Sequence, residues 1–330
     1  MANNISFKER FLRFAEKYGI FLVLIIIFIM GTFISNNFLS TRNLTNIARQ
    51  VSVITILAFG ATIVIIPGML DLSVGSVLAL AGVLSVSAYK TTGSLLLAFL
   101  VAIVVAVFCN ILNGIMVTKF ETPPFIATLA MLTMARGAAL LYTSGQNIYQ
   151  IGDFVVFGQG EIFGIPTPII FMAFIGIVTW YVLNHTRLGR SLYAIGGNEE
   201  AAIASGINVT KDKMLAYIVN GVFVGIAGVI FMSRVNAGLP NGAVGYEFDA
   251  LTAAIIGGTS LSGGIGTAWG TITGAFIVGF INNIMNLVGV ASYTQQIIRG
   301  AIIALAVIYD IKTKKLRKNF KVKKKKEQAN

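Results

Sequence analysis

Cysteine and histidine are almost missing from this 330-residue chain, which has one of each. Cys109 lies inside an apolar run, 94–117, and without a second thiol no intrachain disulfide can form. His185 stands alone in a polar loop, which excludes His/Cys metal clusters and a Ser-His-Asp triad with any choice of histidine. No G-x-x-x-x-G-K-S/T segment occurs, so nucleotide chemistry on a phosphate loop is excluded as well. Charge is also scarce: 12% of residues are Asp, Glu, Lys or Arg, where a soluble domain has about a quarter. With 56% apolar residues, disorder, a secreted disulfide scaffold and a large extramembrane enzyme domain are all ruled out. No catalytic residue and no metal-ligand set emerges.

What is present is apolar sequence in runs of roughly 15 to 25 residues, near the length of one membrane crossing. The expected fold is all-α, a polytopic transmembrane helix bundle. Clear runs cover 20–34, 51–66, 74–89, 94–117, 125–142, 166–183, 214–232, 269–288 and 293–309. The first follows basic residues but no A-x-A-like cleavage site, and it reads as an uncleaved span.

The net charge of +12 is concentrated rather than spread. Ten of the 25 Lys and Arg lie between Lys312 and Lys326, four precede the first span, and four occupy the loop 185–213. Basic flanks mark the cytoplasmic side, so both termini and that loop are expected inside; lipid, not nucleic acid, is the partner of the tail. Two inside termini require an even number of crossings, and the nine runs leave one missing. The glycine-rich stretch 250–264 is the candidate for it, giving about 10 spans. The chain then divides into a cytoplasmic segment 1–19, a membrane domain 20–310 with the cytoplasmic loop 185–213, and a basic tail 311–330. The loop 144–165 falls outside.

Glycine is abundant, at 35 residues, and often at small-xxx-small spacing, as in Gly221 with Gly225 and Gly270 with Gly274. In lipid such positions let helix backbones approach closely. A faint echo between 68–75 and 257–264 hints at related halves.

The loop 185–213 encodes a short helix. Asn198 is an N-cap residue, Glu199 and Glu200 suit the first turn, Ala201, Ala202 and Ala204 favour helix, and Gly206 is a natural stop. Two turns in isolation are marginal in water, so this helix needs support from its own bundle or from a docked partner.

The motif Ala194-Ile-Gly-Gly-Asn-Glu-Glu-Ala-Ala202, with Ser205-Gly-Ile-Asn-Val209, resembles the coupling loop of ribose-type permeases of ATP-binding-cassette importers. Further stretches resemble the same family: Pro67-Gly-Met-Leu-Asp-Leu-Ser-Val-Gly-Ser76, Pro124-Phe-Ile-Ala-Thr-Leu129, Ala135-Arg-Gly137, Ile256-Gly-Gly-Thr-Ser-Leu-Ser-Gly-Gly264 and Asn282-Asn-Ile-Met-Asn-Leu-Val-Gly289. Met69 stands where the family more usually has a glycine. The resemblance implies a permease of the bacterial inner membrane that pairs with a second permease copy. It implies an ATPase with two fused nucleotide-binding cassettes inside and a sugar-loaded binding protein outside. ATP and Mg would sit on that ATPase, and this chain would bind no cofactor. The cargo implied is a monosaccharide, a pentose such as ribose first, with xylose, galactose, inositol or a furanose-like signal as alternatives. Residues Gly197, Asn198, Glu199, Glu200, Ala202 and Gly206 would form the coupling element.

A sugar route needs polar side chains. Asn110 with Asn113, and Asn282 with Asn286, each share one helix face and serve either as interhelical glue or as pathway lining. Pro67 and Gly68 break the helix ahead of Asp71, which is expected to cap the next helix near Ser73 at the membrane surface; the other reading places it on the route or a gate. Phe125 could narrow the inner exit. Arg136 and Arg299 interrupt apolar runs and call for a carbonyl or carboxylate partner. Outside, Tyr246, Glu247 and Asp249, with the loop 144–165, are the expected binding-protein footprint. An ion-coupled carrier would instead need carboxylates within spans, and Asp71, Glu247 and Asp249 are the only candidates, all near expected span ends.

Overall fold

The computed structural model describes residues 7–329 of the backbone and, of the side chains, 19–312 except 309. Among the described residues the architecture is helical: α1 (Phe7–Ile34), α2 (Thr41–Ile65), α3 (Val74–Thr92), α4 (Leu95–Thr118), α5 (Pro124–Thr143), α6 (Val156–Gln159), α7 (Thr167–His185), α8 (Arg187–Gly197), α9 (Glu199–Ala204), α10 (Val209–Val235), α11 (Tyr246–Ile256), α12 (Ala268–Leu287) and α13 (Ser292–Ala329). A small antiparallel hairpin, β1 (Glu161–Ile162) with β2 (Ile165–Pro166), is the one sheet among them.

Among the described residues eight helices are long and apolar enough to cross a membrane: α2, α3, α4, α5, α7, α10, α12 and α13 through Lys312. The apolar part of α1 is the shorter stretch Gly19–Ile34. Helices outrun the apolar sequence where a cap lies beyond it. Ser40 accepts from Asn43 N and starts α2 at Thr41, ahead of the apolar run from 51.

The stretch 250–264 is not a plain tenth crossing. Its helix, α11, is 11 residues long, about 16 Å at 1.5 Å per residue and so about half of a 30 Å hydrocarbon layer. Beyond Ile256 the backbone turns left-handed at Gly258, Gly263 and Gly264, which L side chains resist, while Thr259 and Ser260 stay buried.

Helices α2 and α10 form the centre and are buried almost all round, whereas α4, α5 and α13 keep broad exposed faces. Small residues bring them together as expected. A Cβ at Gly221 would lie 2.8 Å from Val107 Cα, and one at Gly225 2.8 Å from Ile103 Cα, so α10 seats directly on α4. At Gly270 and Gly274 a Cβ would overlap the carbonyl oxygens of Gly257 and Ala253, which sets α12 against α11.

The bundle has two distinct ends. At one, the hairpin is tied down by the Arg49–Glu161 ion pair at 3.1 Å, and a bridge between Ile148 and Gly238 joins the loops that follow α5 and α10. At the other lie α8 and α9. Two non-helical segments enter the interior from opposite ends: 66–73 between α2 and α3, and 236–245 between α10 and α11.

Candidate functional site

At the α9 end the local chemistry works as the sequence implies. The Asn198 side chain accepts from Ala201 N at 3.0 Å, fixing the first turn of α9. Glu199 pairs with Lys213 at 2.8 Å, tying α9 to the start of α10, while Glu200 faces outward. Ala202 is buried against the bundle, and Gly206, at φ +79°, supplies the left-handed stop. The next residue, Ile203, a quarter-turn or so round the helix, is 58% exposed and projects away from the protein. Asn198 is at once the C-cap of α8 and the N-cap of α9, so the two helices are joined by a single residue. Tyr193 on α8 donates to Gly266 O at 2.6 Å; burial pushes its phenol up, which keeps it protonated as that donor.

Asp71 is not at the bundle surface. The break at Pro67 and Gly68 folds inward, and Asp71 ends up buried against α10 and α4. Its Oδ1 accepts from the Ser73 amide at 2.8 Å and from the Ser73 hydroxyl at 2.5 Å. Its Oδ2 accepts from Asn220 Nδ2 at 2.7 Å. The same Nδ2 donates to Asn110 Oδ1 at 3.0 Å, and Asn113 Nδ2 donates to Ser73 Oγ at 3.0 Å. Asn220 lies 11 residues after Val209, about 17 Å along α10, so the cluster sits near mid-bundle. A surface cap was expected because a proline break reads as a turn; the chain instead spends it on a polar contact among helices. Asn113 Oδ1 and Asn220 Oδ1 are buried without a hydrogen-bond partner. A Cβ at Gly60 would overlap Asn220 Oδ1, so that position leaves room only for glycine.

A second cluster closes the other break. Arg136 donates to Pro240 O at 2.6 Å and Gly242 O at 2.9 Å, holding 236–245 against α5. Arg299 lies 3.7 Å from Asp249 and donates to Asn282 Oδ1 at 3.3 Å. Both arginines thus have the carbonyl and carboxyl partners their positions demanded. Glu247 and Asp249 are correspondingly misplaced by the surface reading: they are buried on α11, Glu247 accepting from Gly245 N, because the loop before them turns inward. Tyr246 is partly buried beside Arg234 at 3.4 Å, and Val244 and Phe248 near it are exposed. All three carboxyl groups therefore lie in the interior rather than near span ends.

The remaining expected residues are separate. Asn282 joins the Arg299 cluster, but Asn286 is exposed and accepts from Gln295 Nε2 at 2.9 Å. Phe125 is 53% exposed in the first turn of α5. Asn220 and Tyr217, whose hydroxyl donates to Leu70 O at 3.1 Å, escaped the sequence reading. Their polarity inside the run 214–232 was the available signal.

Comparison with known proteins bears on these places together. Residues 43–307 match the family described as branched-chain amino acid transport system / permease component. The ribose import permease of Escherichia coli (strain K12) is 42% identical over 302 residues, 90% of this chain and 94% of its own length. The ribose import permease of Bacillus subtilis (strain 168) is 41% identical over 90% of this chain and 93% of its own. The D-allose transport system permease of Escherichia coli (strain K12) is 36% identical over 91% and 93%. No solved structure matches. With similarity running nearly end to end over a helical bundle that carries a capped helix pair and two interior breaks, the chain belongs to the permease family of ATP-binding-cassette importers that includes the ribose import permeases.

Proposed function

We propose that this chain is the membrane-spanning subunit through which a monosaccharide, ribose or another pentose first, enters a bacterial cell across the cytoplasmic membrane. The observation that carries the reading is identity of 42% with a ribose import permease across 94% of that protein. Relatives named for D-allose and L-arabinose transport keep the cargo within monosaccharides.

The chain performs no covalent chemistry. Its part is a difference in energy between outward-facing and inward-facing packings, and each partner shifts that balance by binding one packing better. An ATPase with two fused cassettes docks on α9, where exposed Ile203 and Glu200 offer an apolar knob beside an anionic first turn. A sugar-loaded binding protein docks at the hairpin end, on the joined loops around Ile148 and Gly238. A second permease copy covers an exposed flank. The basic residues Arg187 and Arg190 on α8 and Lys211 and Lys213 at the start of α10 orient that end toward the cytoplasm. With α1 and the half-length α11 both counted as passes, ten crossings return the basic tail to the same side.

The test is reconstitution in proteoliposomes with the ATPase and binding protein encoded beside it. Ribose-loaded binding protein is expected to stimulate ATP turnover and drive ribose inward, with other sugars weaker. Uphill sugar movement by the purified chain alone, or protease cleavage of the lysine tail from outside intact cells, overturns the reading.

A further inference from the structure

At the α9 end three stretches of chain touch through backbone rather than through side chains. Gly264 N donates to Ile66 O at 2.8 Å. A Cβ at Gly196, in the last turn of α8, would overlap both the Ile66 carbonyl oxygen and the Gly264 nitrogen. A Cβ at Gly263 would lie 3.0 Å from Gly196 Cα and 3.0 Å from Ile66 O. Beside them Tyr193 donates to Gly266 O, so α8 is fastened to the same strip of chain by a side chain as well.

Each partner in this contact leads somewhere. Ile66 is the residue on which α2 ends, and the break that follows it carries Asp71 to its anchor on Asn220. Gly264 lies between α11 and the cap of α12 at Thr267. On the other side, Asn198 alone separates α8 from α9. A displacement of α9 therefore reaches Gly196 with one flexible joint between. Side chains can absorb a small shift by changing rotamer, but backbones packed without a Cβ have no such slack.

We propose that the Gly196–Ile66–Gly264 junction passes movement of α8 and α9 into the bundle, acting on the foot of α2 and the segment between α11 and α12 together, with Gly196 and Tyr193 as its positioning residues. The proposal rests on the reading of α9 as the helix that docks the ATPase. It explains why the short helix pair is seated on the bundle by direct backbone contact with two other stretches of chain, at Ile66 and at Gly263 and Gly264.

The test compares Gly196→Ala and Tyr193→Phe with the unaltered chain in the complete reconstituted complex. Assembly is read by size-exclusion chromatography, and ATP turnover is read with and without ribose-loaded binding protein. In Gly196→Ala the added methyl wedges α8 away by an ångström or so, and the stimulated component of turnover and sugar uptake are expected to fall about tenfold or more while basal turnover persists. Tyr193→Phe adds no bulk and is expected to lower stimulation several-fold, and it decides the matter if Gly196→Ala does not assemble. Stimulation equal to the unaltered complex, or basal and stimulated rates falling in proportion, overturns the junction. An unaltered complex that shows no stimulation at all removes the docking reading first, and the junction with it.

Discussion

Replacing Asn220 with leucine probes the contact that holds the inner break 66–73 to α10. Leucine keeps the forked shape of the side chain, at a somewhat larger volume, but deletes the amide that donates to Asp71 Oδ2 at 2.7 Å and to Asn110 Oδ1 at 3.0 Å. An intramolecular hydrogen bond contributes about 0.5–1.5 kcal/mol net, and a buried acceptor left without a donor costs about 1–3 kcal/mol. Two effects pull the other way. Asn220 Oδ1 has no partner now, so removing it relieves an existing cost. In membranes the unfolded reference state also finds partners, and single interhelical bonds average only about 0.6 kcal/mol. The net expectation is a loss of about 1–2 kcal/mol, below the simple sum. Asp71→Asn supplies the second edge of a double-mutant cycle, which isolates the pair from what each substitution does elsewhere. Unfolding by sodium dodecyl sulfate in mixed micelles, followed by far-ultraviolet circular dichroism, gives the four free energies. A coupling of about 1–2 kcal/mol is expected; additivity within about 0.5 kcal/mol, as for independent sites, refutes the pairing.

Ala202→Pro removes the Ala202 N to Asn198 O bond at 3.0 Å and sets a ring in the interior of α9, costing the helix about 3 kcal/mol or more; sugar-stimulated ATP hydrolysis is expected to vanish while far-ultraviolet circular dichroism stays that of the folded bundle. Arg136→Met frees the carbonyls of Pro240 and Gly242, and hydrogen exchange at the Gly238 and Gly242 amides should quicken about tenfold or more, as the loss of about 1.4 kcal/mol or more of local stability requires; unchanged exchange would show that the clamp contributes nothing to the loop. Collapsing the proton gradient in vesicles supplied with ATP is expected to leave sugar uptake intact, although Asp71, Glu247 and Asp249 are buried, because each faces donors of the protein itself; uptake that stops with the gradient identifies an ion-coupled carrier instead.

The sequence by itself determined the material and the local grammar. Apolar runs of span length set the class, because an unpaired backbone is intolerable in lipid and helices satisfy it internally. Asn198 and Gly206 bounded α9, since capping is a contact between neighbours along the chain. Gly221 and Gly225 announced a close helix contact, because a missing Cβ is visible at the position itself. What the tertiary structure decided is where each break leads and what it meets. Pro67 and Gly68 end a helix equally well whether the chain then runs along the surface or turns inward. Asp71 goes inward because Asn220, 149 residues later, is there to donate to it. Glu247 and Asp249 follow the same rule with Arg299 and the loop that Arg136 clamps. Gly196 is conspicuous only once Ile66 and Gly264 lie against it. Caps and periodicity are properties of adjacent residues, whereas the partner of a buried polar group or of a bare backbone is fixed only when distant segments share one interior.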